Sequence, residues 1–427
     1  MYLAYILLII YTTGVVNSGQ NKLQCKDEAG NDVDWYVLYK VPKTSESSDP
    51  IIRKGLAYLY ITSDTVANGW QLSKKEIGSK DSVPGKTLSS LYKDDLATDI
   101  LWILYNDQAP NKNQSSVRYG HTKGVLMTDN TRGFWLIHSV PNYPPVPKTG
   151  TENKSRKLKH SEQREAGDTN DDHNNNNNDD DGNMNMDVDN DDIHNDVPDG
   201  EYAYPKSGQL YGQSFLCISM VSNQMNAVGL QLMYNQIMTY RYNLPEVMVN
   251  EYPSLVNASK HVRPKKAPYF HKEEIVSSGG QEFISFAKSD KWQKELYDDL
   301  IAPELKSDLL AETWLNGRGK LPSECSGSKV QNVQSIVLNA ANVDFKSSRD
   351  HSKWAVTQTN KKNRNWVCIG DINRANTQFN RGGGAVCVNL PQLWTNYRGS
   401  VNEVEPCPKK KKGFFGGVKD FIFSWFS

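Results

Sequence analysis

A chain of 427 residues is long enough to bury a large core or to form two sub-domains. Its 49 basic and 49 acidic residues cancel, but they are spread unevenly, so the net charge hides what each part of the chain attracts. Six cysteines without a Cys-x-x-Cys pair exclude the usual zinc-binding spacing and fit three bridges made in an oxidising compartment. Fifteen connectivities are open to six cysteines.

Residues 1–18 read as a secretory signal peptide: no acidic residue, an apolar run from Leu3 to Tyr11, then Val16-Asn17-Ser18 with small residues at the cut. The run is too short to span a bilayer comfortably. In a secreted chain, Asn113-Gln114-Ser115, Asn153-Lys154-Ser155 and Asn257-Ala258-Ser259 are glycosylation acceptors. Apolar runs of period two at 35–41, 56–61, 102–105, 134–137 and 215–218 predict strands. Longer amphipathic pieces at 224–238 and 281–300 predict helices packed on the sheet. A mixed α/β architecture follows, with strands carrying a site to one edge.

Between residues 148 and 200 the composition changes abruptly to an Asn/Asp-rich tract with His173-Asn174-Asn175-Asn176-Asn177-Asn178-Asp179-Asp180-Asp181 at its centre. Such a segment cannot bury enough surface to offset its ordering entropy and reads as a disordered insertion. A calcium loop would need the spacing, Gly and Glu of an EF-hand, which are missing. His160, His173 and His194 fall here and are poor candidates for chemistry. Twelve acidic residues lie between Asp168 and Asp199, with no Lys or Arg among them, so the rest of the chain carries about +12. Four of those charges are Lys409 to Lys412, ahead of the aromatic run from Phe414 to Phe426. The tail 409–427 suits weak contact with an anionic membrane surface, with a disordered tail or a helix docked on the body as the other readings. The remaining basic body suits a polyanion, with strongly salt-dependent binding, although a mildly basic secreted protein can also use its charge simply to stay soluble.

The chemistry-bearing stretch is Asp350-His351-Ser352-Lys353-Trp354, echoed earlier by Gly120-His121-Thr122-Lys123-Gly124. On an extended strand the i and i+2 spacing sets each histidine beside its lysine. An imidazole attacks phosphorus or passes a proton, and an ammonium holds a phosphate oxygen. A single His-x-Lys triplet is common on any basic strand; here both copies have matching flanks. Gly133-Phe134-Trp135-Leu136-Ile137 leads to His138-Ser139-Val140-Pro141-Asn142, and Asn365-Trp366-Val367-Cys368-Ile369 leads to Gly370-Asp371-Ile372-Asn373-Arg374. That is the pattern of an internal duplication facing one site.

GHTKGVL, FWLIHSVPNYP, DHSKWAV, CIGDINR and RGGG together resemble the deoxyribonuclease II family of acid endonucleases, related to the phospholipase D superfamily. DWYVLYK, LYNDQ at Leu104 to Gln108 and YGQSFLCIS at Tyr211 to Ser219 extend the resemblance over nearly all of Cys25 to Cys407. It implies two pseudo-symmetric phospholipase D-like halves, 19–260 and 261–408, each a mixed β-sheet packed with helices, sharing one active site. It also implies disulfides Cys25 with Cys217, Cys325 with Cys407 and Cys368 with Cys387. The implied activity is metal-free and cofactor-free hydrolysis of double-stranded DNA at acid pH, leaving 3′-phosphates, in a secreted or lysosomal protein that forms a clamp-like dimer.

Under that resemblance one histidine of His121 and His351 attacks phosphorus, giving a phosphohistidine, and the other protonates the leaving oxygen. Analogy with the superfamily leans to His121 as nucleophile; the residues leave the order open. Lys123 and Lys353 hold the non-bridging oxygens. The remaining phosphate-binding set is His138, Ser139, Asp371 and Asn373, with a structural role as the other reading of His138. The superfamily's aspartate five residues after each lysine is absent, since Thr128 and Gln358 stand there, so Asp129, Asp350 and Asp371 are candidates to orient the histidines. Gly382-Gly383-Gly384 would bring backbone near a phosphate or make a tight turn. Other classes stay open: a catalytically weak DNA-binding or host-interaction protein on the same fold, or a phospholipid hydrolase.

Overall fold

Short apolar runs punctuated by turn residues cannot bury a face alone, and in the computed structural model they assemble into two large sheets. Residues 23–94, 98–110, 112, 115–152 and 199–408 are described. The signal peptide, the sequons at Asn113 and Asn153, most of the acidic insertion and the tail 409–427 lie outside these residues.

The first sheet contains β1 (Trp35–Lys40), β2 (Tyr58–Thr62), β3 (Gln71–Leu72), β4 (Leu101–Asn106), β5 (Lys123–Thr128), β6 (Arg132–His138), β7 (Thr151–Glu152), β8 (Gln213–Val221) and β9 (Thr239–Asn243). Its order is β3-β2-β1-β8-β6-β5-β4-β9-β7. The second contains β10 (Phe270–Val276), β11 (Glu282–Lys288), β12 (Leu309–Glu312), β13 (Val330–Leu338), β14 (Val343–Lys346), β15 (Trp354–Thr357), β16 (Trp366–Gly370), β17 (Gly383–Asn389) and β18 (Val401–Val404). Here the order is β10-β11-β17-β16-β15-β12-β13-β14, with β18 on β13.

The sheets pack on each other. Trp35, Val37 and Tyr39 of β1 share one core with Leu310, Val356, Ile369 and Val386 of the second sheet. The alternate residues Tyr36 and Leu38 enter a separate core on the outer face, which is the period-two rule with both faces covered. Helix Met225–Asn235 packs beside this inter-sheet core against β10 and β11, and helix Pro391–Ser400 against β15 and β16. Each sheet is therefore covered mainly by the other sheet and by loops, and the helices are few and short.

Two boundaries differ from the sequence reading. The stretch 281–300 is not one helix: Glu282–Lys288 is β11, antiparallel to β10 across the Gly279-Gly280 turn, followed by a single turn at Asp290–Trp292 and a short helix that starts at Tyr297–Ile301 and runs on through Ala302–Leu305. Its apolar residues satisfy either period, and the paired glycines before it were the deciding hairpin signal. The insertion begins later than residue 148, because Thr151–Glu152 pairs with β9.

Disulfides join Cys25 to Cys217, Cys325 to Cys407 and Cys368 to Cys387, the pairs implied by the family resemblance. The last ties neighbouring strands β16 and β17 directly behind Gly370-Asp371. A seam of glycines joins the sheets where the site forms. A Cβ on Gly120 would stand 1.8 Å from the Asn235 carbonyl oxygen, and one on Gly382 2.6 Å from the same atom. The Gly run thus serves close backbone packing, in place of a phosphate cradle or a tight turn.

Candidate active site

His121 and His351 lie immediately ahead of β5 and β15 and not within them, and both line a single cleft together with Asp107, Lys123, Trp314 and Asn373. His121 donates its backbone N–H to the Gly382 carbonyl (2.9 Å), and His351 to that of Gly212 (2.9 Å). Each imidazole is held by the other half of the chain. Nδ1 of His121 meets Oε1 of Gln378 at 3.0 Å; Nδ1 of His351 meets the Ser139 carbonyl at 3.0 Å and Oε1 of Gln213 at 3.2 Å. These partners accept hydrogen bonds, so both rings carry a proton on Nδ1 and keep Nε2 for the cleft.

The cations are arranged unequally. Lys123 donates to Asp107 at 2.5 Å, and Arg381 contacts the other oxygen of the same carboxylate at 2.9 Å. Lys353 lies behind His351, donating to its carbonyl oxygen at 2.7 Å. Burial opposes ionisation of Asp107, but Lys123, His121 and Arg381 together hold its carboxyl well below the usual range. Burial is also the largest cause that depresses both His121 and His351 well below an ordinary histidine. Lys123 is the next cause for His121 and Lys353 for His351, while Asp107 pulls both upward. Burial likewise lowers Lys353 and raises Asp371.

Several sequence-predicted residues take other places. His138 is 1 % exposed and does not line the cleft; its Nδ1 accepts from the Val140 N–H at 3.2 Å, and its ring packs on Tyr143 and Phe215. That is the structural position, behind the site. The Ser139 hydroxyl donates to Gln213 at 2.6 Å and accepts from the Ser214 N–H, so it braces the acceptors of His351 and is not free for phosphate. Asn373 lines the cleft, and neither its Oδ1 nor that of Asp371 has a protein partner. Asp129 caps the β5–β6 turn. Asp350 is engaged by Tyr39 and Ser352. Neither aspartate touches the ring of His121 or His351; Gln378 and the Ser139 carbonyl do.

The residues missed from sequence are Asp107, Gln213, Gln378, Arg381 and Trp314. A carboxylate closing the apolar run of β4 was the available signal for Asp107, and it sits in the LYNDQ motif. Gln213 sits in the YGQSFLCIS motif in the same way, and Gln378 gave no signal.

The family model described as deoxyribonuclease II matches residues 24–407. Plancitoxin-1 of Acanthaster planci is 33% identical over 94% of this chain and 97% of its own length. Deoxyribonuclease-2-alpha of Sus scrofa is 32% identical over 92% and 93%. Deoxyribonuclease-2-beta of Homo sapiens is 31% identical over 95% and 96%.

Proposed function

The chain belongs to the deoxyribonuclease II family, and from that membership we propose that it is an acid endodeoxyribonuclease working without metal through a phosphohistidine. The observation that carries this reading is the pair of imidazoles, one from each side of the chain, both anchored through Nδ1 at one cleft. We assign His121 as nucleophile. Its Nε2 bonds to phosphorus while the P–O5′ bond breaks, and O5′ takes the proton of a protonated His351. Water then gives a proton to His351 and its oxygen to phosphorus, the P–N bond breaks, and a 3′-phosphate leaves. Lys123 and Arg381, both on Asp107, supply cationic stabilisation of the phosphoryl oxygens, with Asn373 at the rim.

Burial holds both rings below the ordinary histidine range in the free protein, so charging one of them calls for a lower pH. A phosphodiester entering the cleft favours the imidazolium, and low pH supplies its proton. The run β4-β5-β6-β8, with His-x-Lys ahead of its second strand, has a counterpart in β12-β15-β16-β17, which supports a shared site between two phospholipase D-like halves. The outer hairpins differ: β1 adjoins β8, whereas the later strand β11 adjoins β17. Three disulfides fit a secretory or lysosomal protein.

Purified protein incubated with plasmid in EDTA at about pH 5, on the acid side of an ordinary histidine, is expected to nick and linearise it, and His121→Ala or His351→Ala to abolish cutting. Plasmid retarded in a gel but left intact would overturn the enzymatic reading in favour of a DNA binder. Thymidine 3′-(4-nitrophenyl phosphate) has a leaving group that needs no proton. His351→Ala should retain the first step, read as a burst of nitrophenol, and His121→Ala should lose it; the reverse pattern exchanges the two roles.

A further inference from the structure

One wall of the cleft has no part in the mechanism above. Trp314 is half-buried, with its ring centroid 5.3 Å from that of His351 at 68° and 4.7 Å from that of Tyr211 at 78°. Behind it the loop is tied down. The Asn376 N–H bonds to the Gly319 carbonyl (2.8 Å), the Leu321 N–H to that of Arg374 (2.9 Å), and the Asn316 side chain to that of Ser348 (2.8 Å). Gly319 has φ +72° and leaves no room for a Cβ, which would stand 1.9 Å from Oδ1 of Asn376. The same loop sets Gly317 and Arg318 along the cleft. An aromatic plane is thus held beside a reacting imidazole, with the exposed Arg318 on the same loop.

The reacting groups are recessed. His121 keeps 8 %, His351 4 % and Lys123 4 % of their surface. Stacked bases keep a duplex stiff, and its phosphates lie on a smooth cylinder, so a diester cannot descend to those nitrogens unless its nucleotide leaves the stack. An unstacked base exposes a π face, and the aromatic side chain nearest the attacked phosphorus is where it lands. We propose that Trp314 is the stacking platform for an unstacked nucleobase flanking the scissile phosphate, with Arg318 on the adjoining backbone. The duplex is then opened locally at the scissile step, with one nucleotide out of the stack. This inference rests on the nuclease reading.

The test is a cycle between protein and substrate. An oligonucleotide with one cleavable phosphodiester is made with a base, or with an abasic residue, on either side of that bond. On the intact oligonucleotide Trp314→Leu should lower kcat/KM about ten- to hundredfold, the worth of one base–aromatic stack, and Trp314→Phe should restore most of it. On the abasic oligonucleotide the native chain and Trp314→Leu should cut equally. A loss of the same size with and without the base, on both sides, would mean that Trp314 merely holds His351 and would overturn the proposal while leaving the nuclease intact. Failure of the native chain to cut any of these oligonucleotides would remove the nuclease reading and this inference together.

Discussion

Asp107 is the side chain on which the electrostatics of the cleft turn. Its two oxygens hold Lys123 and Arg381, and Oδ2 lies 4.0 Å from Nε2 of His121. In Asp107→Asn two buried cations lose their counter-charge, which costs about 3–5 kcal/mol for a broken buried pair, to be read from urea unfolding. The same variant no longer favours the charged form of His351, the acid, so the fall in kcat/KM on the alkaline side should move to lower pH; an unmoved alkaline limb would show that Asp107 does not act on His351. The two His-x-Lys triplets were legible because alternation and repetition are local patterns. Asp107 was not, because an acidic residue after an apolar strand looks like any strand end, and Arg381, which gives it meaning, lies 274 residues away.

Loops and strands set these side chains through backbone contacts. Lys288, at the end of β11, donates to the carbonyls of Gln378 (2.7 Å), Phe379 (3.2 Å) and Arg381 (2.6 Å). The segment that presents both the anchor of His121 and the partner of Asp107 therefore hangs from one ammonium, which burial pulls down to about 8 against the opposing Glu295 and Asp290. Lys288→Met should release this segment and lower kcat about a hundredfold, the order of loss for a misplaced catalytic group; a kcat within threefold of the native value would count against it. Gly120→Ala would overpack the seam against the Asn235 carbonyl and should cost about 1–3 kcal/mol in unfolding free energy. At this level the sequence yielded most strands, since their alternation survives in both cores. It misplaced 281–300, where an apolar pattern compatible with a helix was overridden by pairing to β10 and β17, and no local signal reveals a lysine that clamps a distant loop.

Across the whole molecule two sets of buried groups respond oppositely to acid. His121, His138 and His351 are held below the ordinary value chiefly by burial. The stability they contribute is fully present above about 6.5, their unfolded value, and declines as pH falls below it. Asp371, Glu312 and Glu295 are raised by burial, Glu295 to about 7, so they favour the fold as pH falls. An anion in the cleft favours the protonated, cationic form of the two imidazoles that line it, His121 and His351. Inorganic phosphate should raise Tm more at pH 5 than at pH 7.5, and an equal rise at both would show that the imidazoles do not sense it. The mixed α/β plan was legible from the apolar runs, but the mutual covering of the sheets was not, because alternation specifies two buried faces without naming what buries them. The crossed anchoring of the rings, His121 on Gln378 and His351 on Ser139, carries a biosynthetic consequence. A nascent chain with only its first sheet assembled has a freely rotating imidazole and no scissors, so the emerging polypeptide is harmless to nucleic acid until both sheets have closed.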